Sequence, residues 1–81
     1  MVNYVIKRNG EYKLFHFYKI KDAVQKGFES QKKNLDNKVL EIIESKLGEK
    51  EVWSVEEIQD IIEKTLYSKG YFDVMRSFML Y

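Results

Sequence analysis

Tyr4-Val5-Ile6-Lys7-Arg8-Asn9-Gly10-Glu11-Tyr12-Lys13-Leu14-Phe15-His16-Phe17 is the stretch that decides the fold. Two runs rich in β-branched and aromatic residues flank Asn9-Gly10, a dipeptide suited to a two-residue type I′ turn, in which both positions need φ > 0. The pattern predicts strands over residues 4–8 and 11–17. Such a turn sets the register: Arg8 faces Glu11, Lys7 faces Tyr12, Ile6 faces Lys13 and Val5 faces Leu14, with side chains alternating between the faces. Lys7 and Arg8 therefore end a strand as two cations on opposite sides, on a pleated surface that rarely carries them. An anionic ligand is the natural reason.

Beyond Tyr18 the apolar period changes from two to that of a helix. Ile20, Ala23, Val24, Gly27 and Phe28 make one face of a first helix ending near Ser30, and residues 31–34 are a polar break. A second helix, over residues 35–47, turns Leu35, Val39, Ile42, Ile43 and Leu47 inward, with Gly48 placed for a left-handed C-cap. Glu51-Val52-Trp53 is a brief extended stretch that can add a third strand. Ser54 and Glu57 have capping-box spacing, and Trp53 and Ile58 occupy the positions of a hydrophobic staple, so a third helix opens at Ser54. Ile58, Ile61, Ile62, Thr65 and Leu66 form its buried face and Gly70 stops it. A final helix over residues 71–81 directs Val74, Met75, Phe78 and Met79 inward. The expected class is α+β: a hairpin or small three-stranded sheet capping a four-helix bundle.

Composition bounds the function. A chain of 81 residues is one domain, residues 1–81, and 44% hydrophobic content is enough for a core. The absence of cysteine removes disulfides, thiolate zinc sites and thiol nucleophiles, and agrees with a cytoplasmic location. His16 is the single histidine, expected as a polar hairpin residue, so composition offers little for catalysis and binding is the better reading. No apolar run has the length of a membrane span, no leader is recognisable, and a pI near 7.9 falls short of a nucleic-acid footprint, so neither membrane nor nucleic acid is expected. Charge is segregated: residues 1–33 carry +5 and residues 34–81 carry −4. That segregation also favours an anionic partner on the N-terminal half.

Lys19 falls in the first turn of the first helix, where the macrodipole disfavours a cation unless an anion lies at the helix start. Lys7, Arg8 and Lys19 together can supply the several donors that phosphate recognition needs. The isolated glycines exclude both the P-loop and the dinucleotide fingerprint. Tyr12, Phe15, Phe17 and Tyr18 are read first as core, with stacking on a base as the alternative. The acids from Glu56 to Glu63 read as a solvated helix face.

Val5-Ile6-Lys7-Arg8-Asn9-Gly10, then Phe15 and Lys19-Ile20, then Ser54 with Glu56-Glu57-Ile58, and Gly70-Tyr71 through Met75 to Phe78 and Tyr81 carry a resemblance. Nearly the whole chain resembles the ATP-cone domain, found at the N-terminus of many ribonucleotide reductase large subunits and in the repressor of reductase genes. The resemblance implies a small sheet capping four helices. It implies a regulatory rather than catalytic role, with ATP or dATP, accompanied by magnesium, bound under the hairpin. ATP would keep a parent reductase active, and dATP would switch it off by changing how its subunits assemble. By the same resemblance Lys7 and Arg8 match the family's basic pair, Lys19 its helix-start phosphate lysine, Val5 and Ile20 apolar residues near the base, and Gln59 falls near a nucleotide-contact position. The expected partners are the nucleotide and the rest of the parent reductase or its other subunits. A second reading keeps the fold but assigns it to protein–protein association or oligomerisation without nucleotide.

Overall fold

The computed structural model describes residues 3–79. Its elements run β1 (Asn3–Ile6), β2 (Tyr12–Phe15), α1 (Phe17–Ser30), α2 (Asn37–Leu47), β3 (Val52–Ser54), α3 (Val55–Ser68) and α4 (Phe72–Met79). The strands form one mixed sheet of order β2-β1-β3, with β1 antiparallel to β2 and parallel to β3. Helix α1 packs on α4, α4 on α3, and α3 on α2. The α+β expectation and the three-stranded sheet are both met.

The hairpin forms where expected but in a different register. Gly10 N–H donates to the Lys7 carbonyl at 2.9 Å and Lys7 N–H to the Glu11 carbonyl at 2.9 Å. Of the turn residues only Gly10 has positive φ, at +87°, so the loop is a three-residue type I turn with a left-handed glycine, and not type I′. The longer loop spares Asn9 the left-handed conformation and lets its side-chain oxygen accept the Glu11 N–H at 3.0 Å. Pairing shifts by one residue, to Asn3 with Phe15, Tyr4 with Leu14, Val5 with Lys13 and Ile6 with Tyr12. A one-residue slip exchanges the faces of a strand. Lys13 and Phe15 thus join Val5 on the inner face, while Tyr12 and Leu14 turn outward and are exposed. Tyr18 is exposed as well, so only Phe15 and Phe17 of the expected aromatic core pack against it.

Each helix is held by identifiable ends. At α3, Ser54 Oγ accepts the Glu57 N–H at 3.1 Å and Glu57 Oε1 accepts the Ser54 N–H at 2.9 Å, completing the capping box read from the sequence. At its other end Gly70 is left-handed, and Tyr71 N–H reaches the Leu66 carbonyl at 2.9 Å in a Schellman arrangement. Helix α2 starts later than expected because Asp36 is its N-cap and accepts the Lys38 N–H, leaving Leu35 before the helix as a partly buried packing residue. Its buried face is Val39, Leu40, Ile43 and Leu47; Ile42, expected inside, is exposed.

Gly48 is right-handed, with φ −72°, contrary to the expected left-handed cap. Gly48 N–H still reaches the Glu44 carbonyl at 3.1 Å, and the Leu47 carbonyl at this helix end accepts from Asn3 Nδ2 at 3.0 Å and Trp53 Nε1 at 3.1 Å. The same two side chains donate to the Lys50 carbonyl, so β1 and β3 fasten the end of α2. Val24, Phe28, Val39, Ile43, Leu66 and Val74 are the largest fully buried side chains at the centre of the core. The expected inward turn of the Met79 side chain and the helix reaching Tyr81 fall outside the described residues.

Candidate functional site

Between the inner face of the hairpin and helices α1, α3 and α4 lies an open cavity of about 350 Å³. Strand β1 contributes Val5, and Lys7 just after it; β2 contributes Lys13 and Phe15 from its inner face and also Leu14, although the Leu14 side chain alternates to the outer face. Helix α1 supplies Lys19, Ile20 and Ala23, and α3 supplies Val55, Ile58, Gln59 and Ile62, with Phe78 closing one side. Val5, Ile20, Ile58 and Ile62 belong to the buried core, so the floor is the apolar surface that packing leaves uncovered. The lysines lie at exposed positions, an arrangement in which apolar stems cover the wall and ammonium heads reach water.

Of the residues singled out from sequence, Val5, Lys7, Lys19, Ile20 and Gln59 come together in this lining. Arg8 does not line it. Its place in the turn directs the guanidinium to Glu56 in the first turn of α3, with Nε 3.0 Å from Oε1 and 80% of the arginine side chain exposed. This pair ties the hairpin tip to the helix forming the opposite wall, though an exposed ion pair adds little stability. Lys13 was missed by sequence reasoning because a two-residue turn puts it on the outer face. Weighing the three-residue loop against burial of Val5 and Phe15 would have found it.

The α1 end of the cavity has its own electrostatics. His16 is the N-cap of α1 rather than a hairpin residue; its ring stacks on Tyr18 at 5.8 Å and makes no capping hydrogen bond, and the first turn holds no acid. The positive end of the helix is left to Lys19 and backbone N–H groups, a setting that favours an anion. No carboxylate, histidine, serine or threonine is among the described lining residues; the adjoining hollow around Lys19 and Lys26 adds one acid, Asp22. A lining of lysine, one amide and apolar groups suits binding of a ligand with an anionic part and an apolar part.

The ATP cone domain family matches residues 3–81 of this sequence. The chain belongs to the ATP cone family. It is also 33% identical, over 91 aligned positions, to the ribonucleoside-diphosphate reductase subunit alpha of Chlamydia pneumoniae. That alignment takes in 95% of this chain but only 9% of the reductase subunit, so the chain spans about a tenth of the relative it matches. The match of the cone family runs through the hairpin, all four helices and every residue that lines the cavity.

Proposed function

We propose that this cone binds an adenine nucleotide, ATP or dATP, in the cavity between the hairpin and helices α1 and α3. In this reading it serves as the allosteric activity domain of a ribonucleotide reductase. The observation that carries the reading is the joining of Lys7 and Lys19 with Val5, Ile20 and Gln59 in one lining, against an apolar floor. Phosphates fit the lysines and the start of α1, and the base fits the apolar wall, where Gln59 can give or accept a hydrogen bond. Magnesium would be held by phosphate oxygens and water, since no group of acids or histidines suited to a metal exists among the described residues.

Regulation then needs ATP and dATP to favour different states of the parent, because a ligand of equal affinity for both states shifts neither. The cone itself carries out no chemistry. It works through the rest of the reductase or its other subunits, as a single domain in the cytoplasm.

Calorimetric titration of the 81-residue chain with ATP and dATP tests this. Both nucleotides are expected to bind, and Lys7→Ala and Lys19→Ala each to weaken binding about tenfold or more, the worth of a charge-assisted hydrogen bond. No heat of binding at millimolar nucleotide would overturn the proposal and leave protein–protein association as the role of the fold.

A further inference from the structure

We propose that Lys13 is a third phosphate-binding residue and makes the cavity select by phosphate number, a triphosphate over a diphosphate over a monophosphate. The inference rests on the nucleotide-binding reading above and assigns a specificity to the same site. The hairpin register supplies the first argument. Lys7 closes opposite Glu11 and Lys13 lies two places further along β2, on the inner face. Lys13 is therefore the diagonal neighbour of Lys7, with backbones roughly 7–8 Å apart. Both line the cavity, and so does Lys19 from the start of α1.

Charge supplies the second argument. Among the described residues none of the three lysines has an ion-pair partner, although four other pairs form on the surface. Glu11 neither lines the cavity nor pairs with a lysine. Three ammonium groups facing one hollow repel one another within a Debye length of about 8 Å. A ligand carrying several adjacent negative charges relieves that repulsion, and each added phosphoryl group offers oxygens to another cation. Two lysines hold a diphosphate; the third gives the terminal phosphate of a triphosphate its own partner. The three-residue loop puts Lys13 on the inner face beside Lys7, so the turn around Gly10 bears on the set of cations as well as on the register.

Titrations of the wild-type chain, Lys13→Ala and Lys13→Arg with ATP, ADP and AMP test the inference. The wild type should bind ATP tightest. Lys13→Ala should lose about tenfold or more for ATP, less for ADP and under about twofold for AMP, while Lys13→Arg keeps the wild-type order. Lys13 is exposed, so its thermal unfolding midpoint should be unchanged by either substitution. If the wild type binds ATP but Lys13→Ala loses all three nucleotides equally, or loses none of them, the phosphate role is wrong while nucleotide binding stands. If the wild type binds none of them, both proposals fall together.

Discussion

The Glu57 carboxylate serves two partners at once, and its position decides how α3 begins. One carboxylate oxygen accepts the Ser54 N–H, and the other accepts the Lys50 ammonium at 2.6 Å. The Lys50 ammonium also sits 4.4 Å over the Trp53 ring. These bonds, the Lys50 contact foremost, pull the Glu57 carboxyl from its ordinary 4.5 down to about 2. The folded value lies below the unfolded one, so the contribution is complete above about pH 4.5 and is lost as pH falls through about 2. Thermal unfolding followed across that window should show the midpoint dropping with acid, and Glu57→Gln should show a shallower drop. Parallel curves for the two proteins would mean that Glu57 carries none of the acid sensitivity. Ser54, Glu57 and their spacing are local, which is why this cap was fully legible in sequence.

Elements end by the same device with different residues. Helix α3 closes on Gly70 at φ +81°, whereas α1 closes on Lys32 at φ +56°, with Lys33 N–H bonded to the Phe28 carbonyl at 3.0 Å. A side chain in that left-handed position costs energy that glycine avoids. Lys32→Gly should therefore stabilise the chain by about 0.5–1 kcal/mol, and Gly70→Ala should destabilise it by about 1 kcal/mol or more. Midpoints of denaturant unfolding read both changes, and stabilisation by Gly70→Ala would contradict the argument. The second helix shows the reverse lesson. Gly48 has the right identity and place for a left-handed cap, yet it stays right-handed, and Asn3, 44 residues distant from Leu47, donates to the Leu47 carbonyl at this helix end. Side chains from β1 and β3 finish this helix end in place of the local motif.

At the scale of the whole molecule, the cavity collects residues from β1, β2, α1, α3 and α4, so the site exists only in the folded chain. Ligand binding must then stabilise folding by mass action, about 2.7 kcal/mol at a hundredfold excess over Kd. For a chain of this length the unfolding midpoint should rise by roughly 10–20 °C with ATP at that excess, and by less as salt screens the lysines. A midpoint insensitive to ATP concentration would exclude a site that forms on folding. The sequence by itself determined the α+β class, the hairpin's location, the caps of α3 and most buried helix faces, because apolar period and capping are short-range properties. It also marked Lys7, Lys19 and Gln59, through charge at strand and helix ends and through family resemblance. Tertiary structure decided the hairpin register, the right-handed Gly48 and the place of Lys13 in the cavity. Asn9-Gly10 permits either loop length, and packing Val5 and Phe15 on the inner face selects the three-residue loop. Arg8 was legible as a cation but not as the partner of Glu56, since 48 residues separate the two and only the docking of α3 beneath the turn brings them together.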